Sequence, residues 1–102
     1  MYPRSAYEVL ELNLVTVTNA SQNLAALGLT LNPQTTRIDF QNVGVNNIRL
    51  VVGGTAVAGA GYVLLPVGAT SLRVSAQTGA TVQFITDAGT SEMNVQQMGD
   101  EL

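Results

Sequence analysis

The chain has no cysteine, histidine, lysine or tryptophan. Without cysteine there is no disulfide, no thiolate metal site and no thiol chemistry. Without histidine neither a Ser-His-Asp arrangement nor an imidazole metal site can be built. Without lysine there is no Schiff base and no phosphate-binding P-loop. Charge is scarce too: charged residues make up 11% of the 102, less than half of the usual ~25%. The basic residues are Arg4, Arg37, Arg49 and Arg73, scattered along a chain of net charge −3. No cluster can neutralise a run of phosphates, which argues against a nucleic-acid partner.

Residues 50–72 carry no charge and are long enough for a membrane span. Gly53, Gly54, Gly59, Gly61, Gly68 and Pro66 interrupt them, at about 1 kcal/mol per helix-interior Gly and about 3 for Pro. Two short strands joined by glycine-rich turns fit better, and no membrane partner is expected. Glu8 and Glu11 fall where the apolar stretch of a signal peptide would lie, so none is expected.

What the chain does have is alternation at period two. Leu10, Leu12 and Leu14 share one face against Glu11 and Asn13, and Val15-Thr16-Val17-Thr18 continues in strand-favouring residues. Thr36, Ile38 and Phe40 alternate with Arg37, Asp39 and Gln41, and Ile48, Leu50 and Val52 with Asn47, Arg49 and Val51. Shorter segments follow around Tyr62-Val63-Leu64-Leu65, Leu72-Arg73-Val74, Val82-Gln83-Phe84 and Met93-Asn94-Val95, with Gly, Pro, Asn and Asp turns between. This spacing predicts one all-β domain over residues 1–102: an antiparallel β-sandwich, or a jelly-roll-like small barrel, with at most one short helical turn. The helical candidate is Ser21 to Gly28, with Ser21 as N-cap and Gly28 as left-handed stop. Leu24, Leu27 and Leu29 are expected to plug one end of the core. Residues 1–8 and 96–102 carry no strong pattern and read as frayed ends or arms lying on a neighbour.

Candidate chemistry is thin. Glu8 and Glu11, three apart on a strand, point to opposite faces and cannot converge on one substrate. Asp39, on the polar face beside Arg37, reads as solvated or paired across strands. Asp87 and Glu92, with Thr90 and Ser91, bracket a turn, for which a solvated turn is a simpler reading than a weak calcium site. No enzyme activity, cofactor or metal is expected. The residues singled out are instead interface candidates: Arg37, Arg49, Val51, Tyr62 and Arg73. Arginine is retained at interfaces depleted of Lys, Glu and Asp, although a solubilising cross-strand ion pair explains Arg37 and Arg49 as simply. Val51 gives a second apolar face at a strand end, which implies that a loop or a neighbouring chain covers it.

From Arg37 to Val95 the chain resembles small virion-associated proteins of tailed bacteriophages. The recurring segments read here Phe40-Gln41-Asn42-Val43-Gly44, Asn46-Asn47-Ile48-Arg49, Gly61-Tyr62-Val63-Leu64-Leu65-Pro66-Val67-Gly68, and Val82-Gln83-Phe84-Ile85 through Ala88 and Thr90 to Asn94-Val95. Leu24-Ala25-Ala26-Leu27-Gly28-Leu29 looks like the lead into the first of them. The loop Gly53-Gly54-Thr55-Ala56-Val57-Ala58 departs from the pattern, since related sequences often have Asp-Gly and Pro there. The resemblance implies a β-sandwich in the virion, on the capsid surface or among the tail, connector or fibre parts. Its partners would be the major capsid protein or other virion subunits, and a homo-oligomer is implied, the trimer favoured. A carbohydrate-binding β-sandwich is the alternative from another class.

Overall fold

A computed structural model describes residues 7–59, 63–68 and 71–100. They form the strands β1 (Tyr7–Val17), β2 (Arg37–Asn42), β3 (Ile48–Val52), β4 (Val63–Leu65), β5 (Leu72–Ser75), β6 (Val82–Thr86) and β7 (Ser91–Asp100). A single-turn helix, α1 (Ala76–Gly79), joins β5 to β6. The strands build two antiparallel sheets, one ordered β1-β7-β2-β5 and the other β4-β3-β6. The expectation of an all-β antiparallel sandwich-like fold holds. The charge-free stretch 50–72 supplies the end of β3, all of β4 and the start of β5, and no helix among the described residues is long and apolar enough to cross a membrane.

The alternation decides which side chains enter the space between the sheets. Ile38 and Phe40 of β2, Met93 and Val95 of β7, and Val15 and Val17 of β1 face Ile48, Leu50, Leu65, Val82 and Phe84 of the smaller sheet, all buried. At the centre Phe40 and Phe84, both fully buried, meet edge to face with ring centroids 4.9 Å apart.

After β1 the chain crosses to the smaller sheet. Gln22 and Phe84 exchange backbone hydrogen bonds of 2.9 and 2.8 Å, and the Thr86 N–H donates to the Thr18 carbonyl, so residues 18–22 cover the free edge of β6. The turn that follows is a single helical turn. Its start is capped by Asn23, whose Oδ1 accepts from the Ala26 N–H at 2.8 Å, and not by Ser21 as the sequence suggests. Gly28 ends it at φ +86°, the left-handed conformation expected of it. Leu24 is buried and Leu27, Leu29 and Leu31 pack against the core, as a plug for that end should.

The second half of β7 was legible only as a patternless tail. Residues 96–100 pair instead with β1, and 96–98 also with β2. Gln97 is fully buried: its Oε1 accepts from the Asn32 N–H and the Thr35 hydroxyl, each at 2.8 Å, and its Nε2 donates to the Thr30 carbonyl. A side chain that satisfied is a structural pin, holding the 30–35 segment against β7.

Candidate interaction surface

The interface candidates fall on two opposite surfaces. Arg37 and Arg73 lie on the outer face of the four-stranded sheet, beside Asp39, Gln41, Asn94 and Gln96. Arg49 and Val51 lie on the outer face of the three-stranded sheet, with Gln83 and Ile85. Tyr62 is outside the described residues. No single patch gathers these residues, because β2 and β3 belong to different layers.

Arg73 and Arg49 are each committed to a carboxylate within the chain. Arg73 clamps Asp39 with both carboxylate oxygens engaged, Nε to Oδ1 at 2.8 Å and Nη2 to Oδ2 at 3.0 Å. Asp39 and Arg73 are direct cross-strand partners, so β2–β5 pairing places the clamp. Arg49 donates from Nε to Asp87 Oδ1 at 2.7 Å, and the Gly59 N–H reaches the same oxygen at 3.1 Å. Asp87 is therefore a bridge between β3, the loop after it and the β6–β7 turn. Ser91, another of the residues considered for calcium, donates its hydroxyl to Asn42 Oδ1 and accepts from the Asn46 N–H.

The Arg49 hydrogen bond holds the Asp87 carboxyl below the ordinary aspartate range. Desolvation opposes this shift, and the Gly59 N–H and the Arg49 charge add to it. A carboxyl depressed on folding contributes stability above its unfolded pKa, about 3.9, and loses that contribution as pH falls through the lower folded value. Arg49→Met should raise the Asp87 titration midpoint towards that of a free aspartate and remove this share of the acid dependence. Carboxyl-carbon NMR titration reads it directly, and an unmoved Asp87 midpoint would refute the assignment.

Val51 has an intramolecular cover. The loop 53–59 folds back over the outer face of β3 and β6: the Ala56 N–H donates to Ser21 Oγ at 2.9 Å, and that hydroxyl donates to Gln83 Oε1. Ala56 and Ile85 are buried although both lie outside the main core, and Val51 is half-buried.

The residues left exposed are ones the sequence did not single out. Leu12 and Leu14, on the outer face of β1, are 65% and 61% exposed. Val43, Val45 and Val67 are exposed at the loop end where β3 and β4 meet the Asn42 turn. Leu10 does not join its neighbours. The strand register slips between Val9 and Glu11, and Leu10 lies half-buried where its side chain is the near neighbour of Gly99. The three leucines thus do not share a face, and Val15 and Val17 are what β1 contributes to the core.

A cleft of about 360 Å³ lies between β1 and the 28–33 segment, lined by Glu11, Asn13 and residues 28–33. One carboxylate beside an amide is not a nucleophile–base pair. Among the described residues no group of three or more His, Asp or Glu side chains is placed to hold a metal ion. What the surface offers chemically is contact: a neutral sheet face, one apolar strip along its edge and an apolar loop end. Comparisons with protein-family models, with curated proteins and with solved structures find no match to the chain.

Proposed function

We propose that the chain is a structural virion subunit, a capsid decoration or cement protein of a tailed bacteriophage, acting through protein–protein contacts alone. The observation that carries the contact part is the exposed pair Leu12 and Leu14 on a sheet face whose charges balance, Asp39 being clamped by Arg73 and the others being Arg37 and Glu92. The exposed leucines gain by leaving water, and arginine is retained where such surfaces meet a partner. The virion part rests on the resemblance of the segments from Arg37 to Val95. A small sandwich seated over joints between capsid subunits, burying roughly 1,600 Å² per contact, would resist internal pressure by repetition across the shell. Service as a tail, connector or fibre accessory uses the same surface. The carbohydrate-binding reading has less to draw on, since Phe40 and Phe84 are both fully buried and present no ring to a sugar.

The test is co-sedimentation of the purified chain with heads and with tails of the phage whose genome encodes it. Saturable binding to heads, at fixed stoichiometry and with a raised head-disruption temperature, is the expected result. Binding to tails alone moves the protein to the accessory role. Binding to neither, together with capture of a glycan on an array, replaces the virion reading.

A further inference from the structure

β1 is an edge strand. It pairs with β7 on one side, and among the described residues no backbone hydrogen bond joins another segment to its outward side. At 11 residues it is also the longest strand described. Natural sheets blunt such edges with Lys, Pro, bulges or inward-pointing charge. In β1 the bulge and the charged residues Glu8 and Glu11 all precede Leu12, so residues 12–17 carry none of these devices. That unguarded half is where Leu12 and Leu14 stand exposed.

We propose that two copies of this chain pair antiparallel along the outward edge of β1, about a two-fold axis at Asn13, joining their four-stranded sheets into one. Beyond the bulge the order Leu12-Asn13-Leu14 reads the same in both directions about Asn13. An isologous contact requires such self-complementarity, because each patch must meet itself reversed. Opposed residues of an antiparallel pair share both face and hydrogen-bonding phase, so only registers whose paired residue numbers sum to an even value are open. In the register centred on Asn13, Leu12 of each copy lies beside Leu14 of the other, and the outer face gains a cluster of four leucines. Glu11 falls opposite Val15 of the second copy, which leaves the two Glu11 positions about 13 Å apart, beyond strong repulsion. Centring on Leu12 would set Leu14 against Leu10, which the bulge has turned off that face. Two-fold pairing closes on itself, so it gives a dimer and not the trimer that the resemblance favours. It does not depend on the virion reading: a dimer that binds no capsid leaves it standing.

Light scattering on a sizing column should give about twice the 10.7 kDa chain mass at micromolar concentration. The double variant Leu12→Lys/Leu14→Lys changes only exposed side chains and should keep its circular dichroism while dimerising more than a hundredfold more weakly. Register has its own readout, since the chain has no cysteine. Asn13→Cys lies on the axis, with Cα atoms about 4.5–5.5 Å apart, and should form an intermolecular disulfide on mild oxidation. Thr16→Cys, about 20 Å from its counterpart, should not. A wild-type monomer at millimolar concentration, a trimer, a dimer indifferent to the two lysines, or cross-linking through Thr16→Cys as readily as through Asn13→Cys would each overturn the proposal.

Discussion

Phe84→Ala should lower stability by about 3–5 kcal/mol, the usual range for deleting a buried ring. Phe84 is fully buried, and its ring is the contact between the layers through Phe40 at 4.9 Å. The substitution removes the transfer free energy of the ring and leaves a cavity that two flat sheets cannot easily close. The backbone of residue 84 would still exchange its two hydrogen bonds with Gln22, so the loss isolates the side chain. For a domain of this length the shift in Tm is at least ~12 °C, taking about 4 °C per kcal/mol. Phe84→Leu keeps much of the volume and forfeits the ring pair, and should cost less than half as much. Val45→Ala, at a position 82% exposed, should stay within about 0.5 kcal/mol. Urea unfolding of the three variants gives the comparison. Equal losses for Phe84→Ala and Val45→Ala would mean that the two-layer core is misplaced.

The central ring pair was legible in the sequence because Phe40 and Phe84 each sit in a run that alternates cleanly. The strands β2, β3, β5 and β6 were readable for the same reason: polar residues such as Arg37, Arg49, Arg73 and Gln83 flank apolar ones. What a linear pattern does not hold is the layer to which each strand belongs. Arg37 and Arg49 look alike on paper, yet they end on opposite surfaces because β2 pairs with β7 while β3 pairs with β6. β1 misleads for a related reason. Its leucines look like the core face, but a one-residue slip at Leu10 and burial of Val15 and Val17 place Leu12 and Leu14 outside. Both alternating sets in β1 carry apolar residues, Leu10, Leu12 and Leu14 in one and Val9, Val15 and Val17 in the other, so periodicity alone could not choose between them. The tail of β7 was hidden because its buried polar residue, Gln97, reads as surface until the Asn32, Thr35 and Thr30 partners are brought to it.

The same blindness to partners applies to Asn42, part of a turn signal in the sequence and nearly fully buried in the fold. Its amide uses every bond it can make. Nδ2 donates to the Asn46 carbonyl at 2.7 Å and the Leu65 carbonyl at 2.8 Å; Oδ1 accepts from the Gly44 N–H at 3.1 Å and the Ser91 hydroxyl at 2.7 Å. One side chain thereby ties β2, the loop that carries the exposed Val43 and Val45, the end of β4 and the start of β7. Gly44 completes the arrangement, since a Cβ there would overlap Ser91 Oγ and the Glu92 backbone nitrogen. Asn42→Ala strips partners from several buried groups at about 1–3 kcal/mol each, and a total near 4 kcal/mol is expected.

Asn42→Asp is the sharper probe, because shape is kept while donor capacity is lost. An ionised carboxylate would face two carbonyl oxygens that both need a hydrogen, so the native state favours the protonated form and raises the introduced carboxyl's pKa. Between the unfolded value, about 3.9, and the raised folded one, the native state holds a proton that the unfolded chain has released. Stability relative to wild type should therefore fall by about 1.4 kcal/mol per pH unit across that window and level off above it. At pH 4 the variant should lie close to Asn42→Ala or above it in stability, and at pH 7 below it. Urea midpoints at the two pH values decide the matter. A variant that tracks wild type at both would show that Asn42 donates to neither carbonyl, and the tie between the two sheets at that end would have to come from elsewhere.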